Sequence, residues 1–278
     1  MFADIEGVFS AASPDSIVGK DLMFEHLHPR SRGHFLMAKE YARLMRERGL
    51  LASRSEWEAR DTVQDEWLWK ERNMTEIDER VASRKTEILT SAWPFRPGYP
   101  TVSPIAENDT LGQIAEQYTR GRWNWKQAHE AAANHYAREG NPGKAEKEYR
   151  VIINQIPLLD VQDHLNLAKL LLDQNKIPEL RTVLLRSIEI QPTMLAYRAL
   201  GDIAMRQKNP SEAIAHYEKL VAFNQAPAEE AENGYLLALA YLQVNKKDLA
   251  LARLNTVLDL KPDYKPAVEL LTRIKSRK

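Results

Sequence analysis

Four prolines, Pro157, Pro192, Pro227 and Pro262, follow one another at intervals of 35 residues. No other feature of the chain constrains its fold as strongly. A fixed period of this size marks a structural unit repeated along the chain. One such unit holds two helices of about three turns and their connections, but it is too small to enclose a core of its own. It must therefore stack on its neighbours. The expectation is an all-α chain whose repeats build a long surface rather than a single catalytic globule.

The stretch between the prolines reads as helix, break, helix. In the first unit Ala133 and Tyr136 share a helix face, Asn141-Pro142-Gly143 interrupts it, and Ala145, Tyr149 and Ile152 recur at helical spacing before Pro157. The second unit has Leu167, Ala168 and Leu171, a break near Asn175, then Leu180, Leu184 and Pro192. The third has Leu200, Gly201 and Ala204, then Lys208-Asn209-Pro210, then Ala213, Tyr217 and Leu220. The fourth has Leu237, Ala238 and Tyr241, then Asn245-Lys246-Lys247, then Ala250, Leu254, Val257 and Pro262. The small residue of each first helix steps from Ala133 to Ala168, Gly201 and Ala238, which lets two helices approach while larger neighbours fill the space beside them. After Pro262, Leu270, Leu271 and Ile274 form an apolar stripe ahead of a basic end, as expected of a capping helix.

This order of small residue, aromatic or aliphatic residue, Ala, aromatic and closing Pro resembles the tetratricopeptide repeat family. Ala133, Tyr136, Ala145, Tyr149 and Pro157 carry the best single match, and the second unit departs from it with Leu180 where Ala is usual. The resemblance implies a right-handed helical solenoid of about four repeats. Its first helices would line a concave groove that binds an extended peptide or a partner helix. By that carry-over the groove positions include Glu130, Asn134 and Arg138, then Leu165, Lys169 and Asp173, then Arg198, Asp202 and Arg206, then Tyr235, Leu239 and Gln243. Lys169, Arg198 and Arg206 suit an acidic segment, since guanidinium forks match carboxylates. One subclass grips chaperone C-termini with two asparagines and several basic residues. Asn134 and Asn166 occupy the asparagine positions, but Glu130, Leu195 and Ala199 stand at the basic ones, so a chaperone tail is not the expected ligand.

Near the amino end, Glu25-His26-Leu27-His28-Pro29 precedes a helical pattern in which Phe35, Ala38, Ala42 and Met45 share a face. Gly33 stands in the first turn, where a side chain would block packing. This run resembles the last block of the SGNH, or GDSL-type, lipase and esterase family. The resemblance implies His28 as general base and Glu25, where the family has Asp, as its orienting acid. The family's Gly-Asp-Ser nucleophile and oxyanion blocks would lie upstream of Met1. The chain by itself is expected not to be a catalyst. It is either the carboxyl part of a longer hydrolase or a relic that packs against the helices. His26, His28 and His34 have no carboxylate at a spacing that completes a metal site.

Residues 53–91 read as two helices, one starting at Ser55 and one at Thr75. Trp67 and Trp69 are two apart, so one helix face cannot bury both. Packing at a domain junction is the expected role of the tryptophans. Self-association through an exposed one is the other reading. Residues 92–108 are rich in Pro and Gly and form a connector, after which Asp109 caps a short helix ending near Gly121. The domains expected are thus 1–50, resembling the end of a hydrolase; 51–108, a helical connector with a Pro-rich linker; and 109–278, repeats with a carboxyl cap.

Composition sets the outer limits. The 39 basic and 39 acidic residues cancel, which argues against a nucleic-acid partner. There is no cysteine, which removes disulfides, thiolate metal sites and a cysteine nucleophile and fits a reducing compartment. No run approaches the roughly 18 apolar residues of a membrane span. A cytoplasmic chain without cofactor or metal, with a protein or peptide partner, is the expectation. The sequence leaves oligomeric state open.

Overall fold

The computed structural model describes residues 3–25, 28–92, 94–98, 101–156, 160–223 and 226–276, so His26, Trp93 and Pro157 lie outside the described residues. The described residues form fifteen α-helices, and their only β-type pairing is an isolated bridge between Met23 and Pro29. The chain is all-α. It divides into two compact units, Met1–Asn154 and Gln155–Lys278.

The first unit holds α1 (Ile5–Ala11), α2 (Ser31–Glu47), α3 (Arg54–Arg60), α4 (Asp65–Glu71), α5 (Glu76–Thr90), α6 (Thr110–Thr119), α7 (Trp125–Arg138) and α8 (Pro142–Gln155). In α2, Gly33 is bare for the reason its position suggests. A Cβ there would lie 2.6 Å from the Leu22 carbonyl oxygen and 3.0 Å from Pro29 Cβ. The buried face of α2 runs through Gly33, Glu40 and Leu44, and Ala38, assigned to that face by periodicity, is exposed. The shift follows from Glu40, which is buried beneath the Arg43 guanidinium at 2.7 and 2.8 Å, a pairing that helical periodicity of apolar residues does not reveal.

Residues 53–91 form three helices rather than two. Ser53, not Ser55, opens α3, in a capping box with Glu56 that satisfies two backbone donors left over at the helix start. Thr75 and Asp78 make the same box at α5, as its start signal indicates. The extra helix α4 has no side-chain cap, so nothing in the sequence announces it. In α4 the two tryptophans separate as their spacing requires. Trp69 packs edge-on against Phe35 at 5.4 Å with the Arg72 guanidinium 3.7 Å above its ring, and Trp67 faces outward. The connector is held through its backbone at Ser103. Buried Arg84 reaches the Ser103 carbonyl at 2.8 Å and Glu116 at 2.6 Å, while Glu87 accepts from the Ser103 amide at 2.8 Å. Asp109 then caps α6 through the Gly112 amide at 3.0 Å.

The second unit continues with α9 (Val161–Asp173), α10 (Ile177–Ile190), α11 (Met194–Arg206), α12 (Pro210–Val221), α13 (Pro227–Gln243), α14 (Lys247–Leu260) and α15 (Lys265–Ser276). Each packs against the next in chain order. Leu167, Leu171, Leu184, Leu220 and Leu254 are fully buried, each contributing about 2–3 kcal/mol of apolar burial. α15 buries Ala267, Leu270 and Ile274 against α13 and α14 and so closes the stack with one apolar face.

Every break between the two helices of a repeat has one form. Gly140, Asn175, Lys208 and Asn245 have φ of 70°, 56°, 59° and 58°. The residue after each donates to a carbonyl five residues back, at 2.8 Å from Asn141 to Tyr136 and 2.9 Å for the Lys176–Leu171, Asn209–Ala204 and Lys246–Tyr241 pairs. This is the left-handed cap that satisfies the last carbonyls of a helix. In the first repeat the left-handed residue is Gly140, one position before the Asn141-Pro142-Gly143 run, and Asn141 instead caps α8 through the Lys144 amide at 3.3 Å.

Candidate functional site

α9 and α11 both pack on α10 in the second unit, each started by a side-chain cap: Asp160 accepts from the Gln162 amide at 2.8 Å, and Thr193 from the Ala196 amide at 3.2 Å. Leu167, Ala168 and Leu171 of α9 turn inward, as do Ala196, Leu200 and Ala204 of α11. The opposite faces are thereby presented outward, and they line a groove of about 430 Å³ with Leu180 and Leu184 of α10 beneath it. From α9 come Leu165, Lys169 and Leu172, and from α11 Leu195, Arg198, Ala199, Asp202 and Arg206. Leu172 and Leu195 are 49% and 57% exposed.

The electrostatics of this groove are unbalanced. Its carboxylate, Asp202, accepts the Tyr217 hydroxyl at 2.6 Å. Lys169, Arg198 and Arg206 are exposed and make no ion pair with any described residue. Nearby Arg181, by contrast, is tied to Glu212 at 2.7 Å. Three cations thus surround an apolar floor, with no carboxylate of the described residues paired to them.

Of the residues chosen from the sequence, Leu165, Lys169, Arg198, Asp202 and Arg206 line this one groove. Asn134 and Arg138 belong to the first unit, where they line a different cavity of about 380 Å³ with Gln113, Gln117 and Trp123. There the Arg138 Nε donates to the Asn134 carbonyl at 3.2 Å. Tyr235 is not among the lining residues of the groove. Its ring meets Tyr264 edge-on, 5.7 Å between centroids. Leu172 was missed, although its spacing of seven from Leu165 places both on one face of α9.

At the amino end, the Glu25 carboxylate and the His28 Nδ1 are in contact, with His28 59% exposed and Glu25 largely covered. Glu25 also lines an apolar cavity of about 600 Å³ with Phe9, Val18, Met23, Phe24 and Met37. His34 Nδ1 donates to the Arg30 carbonyl at 3.1 Å, one helical turn back. No cluster of metal-ligating side chains occurs among the described residues.

A second titratable cluster lies inside the first unit. His129 is buried between two carboxylates, with Nδ1 donating to Glu148 at 2.6 Å and Nε2 to Asp78 at 3.2 Å, and Trp125 against its ring at 4.3 Å. Burial alone pushes the imidazole down, but the two carboxylates outweigh it and raise it to about 9. Burial pushes Glu148 up, and His129 does not offset it. Burial also presses Asp78 upward, but it is less enclosed, and its bonds to His129 and Thr75 leave it below the usual range. Both ring nitrogens are occupied, so His129 has no lone pair to offer a substrate. The cluster ties α5, α7 and α8 together.

Residues 165–228 match the tetratricopeptide repeat family. The matched stretch contains every cationic and leucine side chain of the groove. No curated protein matches the chain. Among solved structures, one titled as the MamA protein is 18% identical over 54% of this chain and 81% of its own, with a TM-score of 0.48. A MamA fragment from Desulfovibrio magneticus RS-1 is 20% identical over 55% and 84%, with a TM-score of 0.46. YrrB, titled as a TPR protein with an unusual peptide-binding site, is 14% identical over 74% and 95%, with a TM-score of 0.45. Among the described residues no helix is long and apolar enough to cross a membrane.

Proposed function

We propose that this chain is a non-catalytic scaffold that binds a segment of a partner protein, and that the segment is acidic and apolar. The observation that carries this reading is the groove between α9 and α11, where Lys169, Arg198 and Arg206 have no carboxylate partner beside exposed Leu172 and Leu195. The leucines would supply affinity, and the cations orientation and encounter rate. In this reading residues 109–278 are the repeat module with its cap, 51–108 the connector, and 1–50 a packing segment. Tyr235 would extend the contact beyond the central groove, and Asn134 and Arg138 would serve a separate contact of the first unit. The neutral balance of charge and the lack of cysteine fit a protein partner in the cytoplasm rather than nucleic acid.

Selection of a random peptide library on the immobilised full chain tests the reading. Enriched peptides are expected to carry Asp or Glu beside Leu, Ile or Phe, and to be lost when the selection is repeated on the Arg198→Glu/Arg206→Glu chain. Enrichment of basic or uncharged peptides would contradict it.

The contact between Glu25 and His28 favours a second reading, in which the chain is the carboxyl part of a serine ester hydrolase that needs further sequence for activity. Hydrolysis of p-nitrophenyl acetate by this chain is expected to match a His28→Ala control. A rate that falls with that substitution would move the assignment to an enzyme.

A further inference from the structure

The groove of the second unit carries its charges in a fixed order. Arg198, Asp202 and Arg206 follow one another at four-residue steps on α11, and all three line the groove. At the rise of an α-helix the two arginines start about 12 Å apart, with Asp202 midway between them. Asp202 holds the Tyr217 hydroxyl, and neither arginine makes an ion pair with any described residue. From α9 the groove takes Leu165 and Leu172, about 10 Å apart by the same rise. The channel is narrow. Spread over the roughly 16 Å of α11 from Leu195 to Arg206, its volume of about 430 Å³ leaves a width of about 5 Å, the room that one extended chain takes up and about half that of a helix.

We propose that the occupant of the groove is an extended segment of a partner protein that reads acid, apolar, uncharged, apolar, acid. The inference rests on the groove reading above and supplies the pattern that the groove selects. An extended chain advances about 3.3 Å per residue and turns alternate side chains to opposite sides. Two carboxylates that face Arg198 and Arg206, about 12 Å apart, are therefore four positions apart. Three positions would turn one of them away from α11, and two would leave them only about 7 Å apart. The residue midway on that side meets Asp202, which repels a carboxylate there. The two residues between turn toward α9, where Leu165 and Leu172 cover them. Selection thus comes from one repulsive charge as well as two attractive ones.

Fluorescence anisotropy of labelled peptides on the full chain tests this. Each peptide holds five residues between Gly-Ser flanks and is blocked at both ends. Asp-Leu-Ser-Leu-Asp is expected to bind about fivefold or more tightly than its isomer Leu-Asp-Ser-Asp-Leu, which has the same composition and charge with the acids two apart. Asp-Leu-Asp-Leu-Asp is expected to bind more weakly than the first peptide despite its extra negative charge. The Asp202→Asn chain, whose amide oxygen can still accept the Tyr217 hydroxyl, is expected to remove that penalty. Equal binding of the two isomers, a third acid that leaves binding unchanged or tightens it, or a penalty that persists in the Asp202→Asn chain overturns the proposal. If the isomers bind equally while the Arg198→Glu/Arg206→Glu chain loses both, the spacing falls and the groove reading stands. If no acidic peptide binds more tightly than Lys-Leu-Ser-Leu-Lys, both fall.

Discussion

Gly201→Leu unfolds the second unit or lowers its stability by about 3 kcal/mol or more. Gly201 in α11 lies against the ring of Tyr217 in α12, and even a Cβ there would fall 2.3, 2.6 and 2.8 Å from three ring atoms. Tyr217 has nowhere to go. It is 1% exposed, and its hydroxyl is held by Asp202 at 2.6 Å. Gly is ordinarily a poor choice inside a helix by about 1 kcal/mol, so a substitution that improves helix propensity and still destabilises isolates the packing. Urea unfolding followed by circular dichroism gives the number. In a Gly201→Leu/Tyr217→Ala chain the two costs are expected to be less than additive, since the second change opens the space that the first one needs. An unchanged midpoint for Gly201→Leu would show that the two helices do not approach as described.

His129→Leu is expected to cost about 3–5 kcal/mol, because it leaves buried Glu148 and its neighbour Asp78 without the charge between them. The pH dependence has a definite sign. His129 is raised in the folded chain to about 9, so its contribution is complete below its unfolded value near 6.5. It is lost as pH rises through 9. The difference amounts to roughly 3 kcal/mol at about 1.4 kcal/mol per unit. Asp78 acts at the other end, since a lowered carboxyl stabilises above its unfolded value and is lost as pH falls through its folded one. Unfolding of the first unit measured at intervals from neutral pH to about 10 should show falling stability in the wild type and a flat profile in His129→Leu. A wild-type profile that is flat over that window would show that the imidazole is not held charged.

Much of the repeat architecture can be read from residue spacing because the physics is local. The steps from Ala133 to Ala168, Gly201 and Ala238 are matched by the left-handed residues seven positions later, Gly140, Asn175, Lys208 and Asn245. Gly and Asn announce that conformation, but Lys208 does not, since nothing in a lysine favours φ above zero. The groove positions were implied by the resemblance to the repeat family, and Arg198, Asp202 and Arg206, four apart on α11, share one face of it. What was not legible depends on partners far along the chain. His129 meets residues 51 positions before it and 19 after it, and an alanine-rich helix gives no hint of either. Tyr235 is a groove position by the family resemblance, yet the ring of Tyr264 stands against it, a contact supplied by the segment leading into α15. α4 lacks a cap and is short, so its presence depends on Trp69 finding Phe35 rather than on a local start signal.

The pairing state of the groove cations decides the functional reading most directly. Calorimetric titration of the strongest library-selected peptide into the wild-type and Arg198→Glu/Arg206→Glu chains measures it, with urea midpoints confirming that both are equally folded. Both arginines are exposed and make no ion pair with any described residue, so their reversal is expected to leave stability within about 0.5 kcal/mol. The account predicts affinity about tenfold or more weaker in the reversed chain, and a wild-type affinity that falls as salt is raised. Equal affinity in the two chains, independent of salt, would contradict it.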